Sequence, residues 1–222
     1  RIVTRAYETK VHKTEKEVKI ETTLSISAIY IQRILDIQVT WNIQADGTVD
    51  IAMDVKRNPI FPMLPRFGLR LFLPKEMKDV TYYGLGPVES YMDKRRASWH
   101  GEFSSPVTDL HEDYIRPQEN GSHYDCDYVT LSSNAGHLLP ERKTSLTAVS
   151  GQTFSFNASV YTEEELTNKA HNYELEECGS TVLCLDYRQN GIGSNSCGPQ
   201  LIEKYRLDEN EFHFELRLKP EV

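Results

Sequence analysis

The stretch from residue 34 to residue 55 constrains this chain more than any other. Apolar and polar residues alternate over 34–43, Asp46-Gly47 follows, and the alternation resumes over 49–55. A period of two puts Val39, Trp41 and Ile43 on one face and Thr40 and Asn42 on the other, as in a half-buried strand. Asp-Gly between two such runs is hairpin chemistry, because the tight turn needs positive φ. The pattern recurs at 18–26, 69–73, 80–83, 128–131, 145–149, 154–161, 182–187, 205–207 and 212–218. Trp99-His100 begins another strand or covers the core, where a lone tryptophan usually sits. Residues 58–65 carry Pro59, Pro62 and Pro65 and cannot continue a central strand. The one clear helix start is Thr162, with Glu165 placed to complete a capping box and acids in the first turn. That helix is predicted to run about ten residues, to near His171. Roughly twelve or more strands with one short helix define an all-β chain, a large antiparallel β-sandwich. No repeat of fixed period argues for a propeller or solenoid.

At 222 residues the chain accommodates one large β domain, so residues 1–222 are expected to form a single sandwich. An apolar fraction of 39% suits a packed core. The net charge of −8 disfavours nucleic acid as a partner, since phosphates would be repelled. No apolar run approaches the ~20 residues of a membrane helix, and no signal peptide is visible. Lys10, Lys13, Lys16 and Lys19 are interspersed with glutamates and read as a solvated strand face. The cysteines, Cys126, Cys178, Cys184 and Cys197, form no C-x-x-C pair and lack histidines at zinc spacing. They read as free thiols.

Three glycine-punctuated stretches remain. Residues 83–93 read Tyr-Gly-Leu-Gly-Pro-Val-Glu-Ser-Tyr-Met-Asp, residues 114–121 Tyr-Ile-Arg-Pro-Gln-Glu-Asn-Gly, and residues 191–199 Gly-Ile-Gly-Ser-Asn-Ser-Cys-Gly-Pro. In the first, a strand leaves through a rigid loop bearing Glu89, Tyr91 and Asp93. Such rings and carboxylates suit a sugar's apolar face and hydroxyl rim, and equally suit a corner with Tyr91 packed beneath it. Asp93 is expected to pair with Arg95 or Arg96. Gln118, Glu119 and Asn120 cannot all face a core, so they either knit their loop to its neighbours or face a ligand.

In order and spacing these stretches resemble the C-terminal domain of the large bacterial β-galactosidases of glycoside hydrolase family 2. Residues 64–69 (Leu-Pro-Arg-Phe-Gly-Leu) and 156–161 (Phe-Asn-Ala-Ser-Val-Tyr) extend the likeness to roughly residues 10–218. The resemblance implies a supersandwich of the galactose-mutarotase type at the end of a multi-domain enzyme that hydrolyses terminal β-D-galactosyl residues by a retaining mechanism. The catalytic glutamates would lie on a (β/α)8 barrel absent from this chain, which alone is expected to be inactive. It further implies that Ser194, Asn195, Ser196 and Cys197 face the substrate, with Glu89, Tyr91, Asp93, Gln118, Glu119 and Asn120 on pocket loops. In the family a tryptophan stacks on the sugar near the place of Cys197. Here the loop is shorter, and Cys197 either contacts substrate or packs the loop.

By the same resemblance, magnesium and sodium belong to the barrel side, and this chain is assigned no cofactor or metal. The implied partners are a galactoside and the barrel domain of the same polypeptide, in a cytoplasmic homo-oligomeric parent. The alternative is a stand-alone carbohydrate-binding module or an aldose-epimerase-like protein of the same fold. His100, His111, His123, His137, His171 and His213 supply imidazoles, but none sits in an epimerase motif.

Overall fold

A computed structural model describes residues 2–28, 30, 32–133, 143–193 and 199–221. Among these, the strands are β1 (Ile2–Lys13), β2 (Glu17–Ala28), β3 (Arg33–Gln44), β4 (Val49–Arg57), β5 (Arg66–Pro74) and β6 (Asp79–Gly86). They continue as β7 (Trp99–Pro106), β8 (Ser122–Ser132), β9 (Ser145–Ser159), β10 (Ser180–Gln189) and β11 (Glu211–Glu221). One helix, α1 (Glu163–Asn168), joins β9 to β10. All strand pairs are antiparallel.

The hairpin forms where alternation placed it, with Gly47 at φ +87° in the turn between β3 and β4. Hydrogen bonding runs in the order β1-β2-β3-β4-β11-β9-β8-β6-β7, with β10 joined to β9 and β5 to β10. The fork lies in β9. Its first half pairs β11 through Ser145–Val149, its second half pairs β10 through Ser155–Ser159, and β8 pairs its other edge on both sides of residues 150–153. Two layers therefore diverge from one bent strand, giving an open antiparallel sandwich.

One inner face runs across the whole sheet. Ile37, Val39, Ile51, Met53, Phe214 and Leu216 bury one wall, and Phe156, Leu183, Leu185, Val129 and Tyr82 bury the other. Phe212 of β11 meets Phe67 of β5 edge-on at 5.1 Å and stacks on Tyr187 of β10 at 4.7 Å, so the layers touch through rings. Each buried aliphatic or ring contributes about 1.5–3 kcal/mol. The outer residues of β3 and β4, Asp36, Gln38, Asp50 and Asp54, are polar, as the period demands.

Several expectations are corrected. Residues 145–149 and 154–161 are one continuous strand up to Ser159, not two. Residues 205–207 are not a strand; a single 3-10 turn, Glu203–Tyr205, leads to the buried Leu207. Helix α1 ends at Asn168 because Lys169 turns extended, at φ −84° and ψ 143°. Thr162 caps it, accepting from Glu165 N at 3.1 Å, but the Glu165 carboxylate does not return the bond. It accepts from Glu176 N at 2.9 Å and pairs with Lys169. Trp99 opens β7 yet is 60% exposed, with its ring edge-on to Phe103.

Candidate functional site

The first motif begins where β6 presses on β8. A Cβ on Gly84 would sit 2.3 Å from Cys126 Sγ and 2.9 Å from its Cα, so only glycine fits there. After the cis Gly86-Pro87 peptide, residues 91–94 close into a tight turn, with Tyr91 and Lys94 exchanging backbone hydrogen bonds at 2.8 and 3.1 Å. Ser90 fixes the loop to β8: its hydroxyl donates to Leu85 O and accepts from Tyr124 N.

Glu89 is 6% exposed and is the first tie between motifs. It accepts from Lys94 Nζ, from the Tyr114 hydroxyl at 2.5 Å and from Gly121 N at 2.8 Å. The last two donors belong to the second motif. Burial works against the charged form, but these donors and the lysine charge outweigh it and hold the carboxyl below its usual range. A carboxylate saturated in this way is a structural anchor, since a general acid needs a raised pKa. Gly121 is positioned by a positive φ of +68°, and a Cβ there would come within 2.4 Å of Leu110 O.

Asp93 is the second tie, to the third motif. Its carboxylate accepts from Ile192 N at 3.1 Å and Gly193 N at 2.9 Å. A Cβ on Gly191 would crowd Asp93 Oδ2 at 2.7 Å, so the close approach requires that glycine. The expected pairing of Asp93 with Arg95 or Arg96 is thus replaced by backbone amides. The Arg95 guanidinium lies over the Tyr124 ring at 5.6 Å.

The second motif is knitted inward. Asn120 is buried, accepting from Glu112 N and donating to Gln118 O at 2.8 Å. Glu119 enters a network shared by β5, β9 and β10. Arg66 donates to Glu119 at 3.0 Å, to Asn157 at 3.2 Å and to Asp186 at 2.5 Å. Asn157 donates to Glu119 and to Asn120 O, both at 2.8 Å, and Gln189 donates to Asn157 and Asp186. Burial raises the Asp186 carboxyl, with Arg66 and Gln189 pulling against it. Burial likewise pushes Glu119 up to about 7 against the Arg66 charge. A third of the Glu119 side chain remains open, so water screens part of that push.

Of the candidates, Tyr91 is buried under its loop, with no hydrogen-bond partner for its hydroxyl among the described residues, and Gln118 is exposed. Ser194, Asn195, Ser196 and Cys197 lie outside the described residues. Cys126 and Cys184 are buried free thiols and Cys178 an exposed one. His123 is buried against Phe156 and Tyr82, and burial lowers it to about 4, so it stays neutral. Among the described residues, no group of His, Cys, Asp and Glu converges to hold a metal, and no helix is long and apolar enough to cross a membrane.

Arg66, Asn157, Asp186 and Gln189 were not singled out from the sequence as site residues. A signal existed in Asp186: an acid at the end of the apolar run 182–185 must find a buried partner.

Fold and site define an antiparallel β-sandwich domain in which a buried and a half-buried carboxylate tie three loops together. The chain belongs to the β-galactosidase small-chain family, whose model matches residues 2–218. It is 43% identical over 209 residues to a β-galactosidase of Actinobacillus pleuropneumoniae, covering 94% of this chain and 20% of that protein. A Staphylococcus xylosus β-galactosidase is 40% identical over 218 residues, covering 98% and 21% respectively. The chain therefore spans about a fifth of the length of these relatives. A GH36 α-galactosidase structure from Geobacillus stearothermophilus aligns with all of this chain and 28% of its own, at 10% identity and a TM-score of 0.43, too loose a likeness to carry an argument.

Proposed function

We propose that this chain is the C-terminal domain of a β-galactosidase and that its three tied loops complete one wall of the sugar pocket. The observation that carries this is convergence: Glu89 joins the first motif to the second, and Asp93 joins the first to the third. Motifs up to a hundred residues apart are tied by these two carboxylates into one surface. Such a surface suits positioning a substrate whose chemistry happens on another domain. In this reading the parent cleaves terminal β-D-galactosyl residues with carboxylates on its barrel, which also carries its magnesium and sodium. Ser194, Asn195, Ser196 and Cys197 follow the Asp93 anchor directly and face the galactoside. The parent is a cytoplasmic homo-oligomer, and this domain of it is a supersandwich.

The test is reconstitution. The 222-residue chain is assayed on nitrophenyl-β-galactoside alone and after mixing with the remainder of the parent polypeptide. No turnover alone, restoration on mixing, and kcat/KM lower by about tenfold or more with Asp93→Ala in the mixture are expected, the last being ~1.4 kcal/mol of transition-state stabilisation. Turnover by the chain alone, or a remainder fully active without it, would overturn the reading.

A further inference from the structure

Where β9 bends, the sheet leaves a cavity of about 180 Å³, lined by Tyr124, Asp125, Gln152, Thr153, Tyr187 and Arg188. Two departures from regular strand make it. The pairing of β9 with β11 stops at Val149 and its pairing with β10 starts at Ser155, which opens the sheet over the residues between. In β8 the register slips between His123 and Cys126, and within that slip Asp125 adopts φ +60°. Among the described residues it is the one non-glycine residue with positive φ. Bulges of this kind re-aim a side chain, and such backbone persists where its surroundings hold it. Here the half-buried carboxylate joins the cavity wall, with His100 Nε2 3.0 Å from Oδ2.

We propose that this cavity binds one neutral monosaccharide in its pyranose form, with hydroxyls shared among Asp125, Gln152 and Arg188 and the apolar ring face against the tyrosines. The lining supplies both halves of the hydrogen-bond code: Asp125 accepts, Arg188 donates, and Gln152 and Thr153 do both. One carboxylate and one guanidinium leave it without net charge, so neither an anion nor a cation is favoured. A small molecule that donates and accepts around its rim, has an apolar face and carries no charge is a sugar. The volume lies below the ~300 Å³ at which drug-sized pockets begin, which suits a single ring. The polar side chains are also held from behind. Glu209 accepts from Arg188 Nη1 at 3.1 Å, and the Gln152 amide donates to His213 O at 3.2 Å. A ligand therefore has little left to order, but its contacts are few, and Kd is on the order of 1–10 mM. The proposal stands on this cavity and not on the pocket-wall reading, so each can fail alone.

The experiment uses the intact parent polypeptide. Hydrogen exchange over residues 122–127 and 150–156 is followed by mass spectrometry with galactose, glucose, the open-chain polyol sorbitol or inorganic phosphate. A ligand at ten times its Kd suppresses local opening about tenfold, so these amides should exchange about tenfold more slowly in about 100 mM galactose or glucose. Protection by one sugar alone names the epimer the site takes, and protection by both names the class. Sorbitol and phosphate should leave exchange unchanged, and Arg188→Met should abolish the protection. Gln152→Ala, whose side chain lies on the exposed bend, serves as the second variant if Arg188→Met does not fold. Amides indifferent to both sugars, protected as well by sorbitol, protected by phosphate alone, or still protected by sugar in a folded variant would overturn the proposal.

Discussion

Replacing Arg66 by Met should expose how the loop-bearing end of the sandwich is held. The Asp186 side chain is 3% exposed and that of Arg66 24%, and their closest contact is 2.5 Å. Removing one partner of a buried pair costs about 3–5 kcal/mol, because the remaining charge is left desolvated. Since Arg66 keeps some contact with water, the lower end applies, about 3 kcal/mol. Methionine retains much of the apolar stem, so the loss reports charge and hydrogen bonds more than packing. For a domain of this size ~1 kcal/mol shifts Tm by about 2–4 °C, so the variant should melt about 6–12 °C lower.

The pH dependence separates this from a packing defect. Burial already raises Asp186 and Glu119 in the folded chain, and without the Arg66 charge only the Gln189 and Asn157 hydrogen bonds oppose it. Groups with raised folded pKa values bind more protons folded than unfolded, so stability falls as pH rises from the unfolded carboxylate range through the folded value. The deficit of Arg66→Met should therefore be small near pH 5 and grow toward pH 8. The assay is urea unfolding followed by circular dichroism at several pH values. A loss below about 1 kcal/mol, or a deficit independent of pH, would refute the argument. Replacing Asp186 by Leu in the same variant should recover much of the loss, because the orphaned charge goes with it.

Two further outcomes follow from the loop anchors. Gly121→Ala should lose about 2–3 kcal/mol in urea unfolding, since its φ of +68° and the 2.4 Å approach to Leu110 O leave no room for a methyl group. Glu89→Gln should lose about 1–3 kcal/mol near pH 7, where the wild-type carboxylate accepts charged hydrogen bonds. Because the folded Glu89 is held below its usual range, its contribution is present above the unfolded pKa and lost as pH falls through the folded one. The glutamine variant should show a flatter acid limb between pH 5 and 3, and an unchanged limb would show that Glu89 is not so held.

Strands were legible wherever one face is buried and the other wet, because alternation then records the fold directly. The β3–β4 hairpin and β11 are such cases. The course of β9 was not legible, for a local reason. Ser150-Gly151-Gln152-Thr153 has the composition of a turn, yet the strand runs through it. There the Ser150 hydroxyl donates to Glu215 O at 2.6 Å and the Gln152 amide to His213 O at 3.2 Å. Side chains thus replace the backbone ladder just where the sheet forks, and a polar run that reads as a loop is the bend that makes two layers. Residues 205–207 misled in the opposite sense. Their apolar character reflects Leu207 buried beneath the connection, where its carbonyl accepts from Leu64 N and its amide donates to Asn190 Oδ1, not sheet pairing.

The site was legible as three motifs but not as their contacts, and Asp93 shows why. In the sequence its nearest charges are Lys94, Arg95 and Arg96, and a local ion pair is the economical guess. Such a surface pair is worth ~0–1 kcal/mol and must order a long side chain. Two amides converging from a glycine turn a hundred residues away are already ordered by the backbone, and they give the carboxylate charge-assisted bonds without that cost. Lys94 is then free to reach Glu89, whose buried charge needs a cation more than a half-buried aspartate does. The partners are therefore sorted by burial, not by sequence proximity. The most buried carboxylates, Glu89 and Asp186, take Lys94 and Arg66, while the half-buried Asp93 takes main-chain donors. The Gly191 turn is thereby held at the two amides that follow Gly191 by a side chain of the first motif, and a change at Asp93 should act on the third loop before it acts on its own.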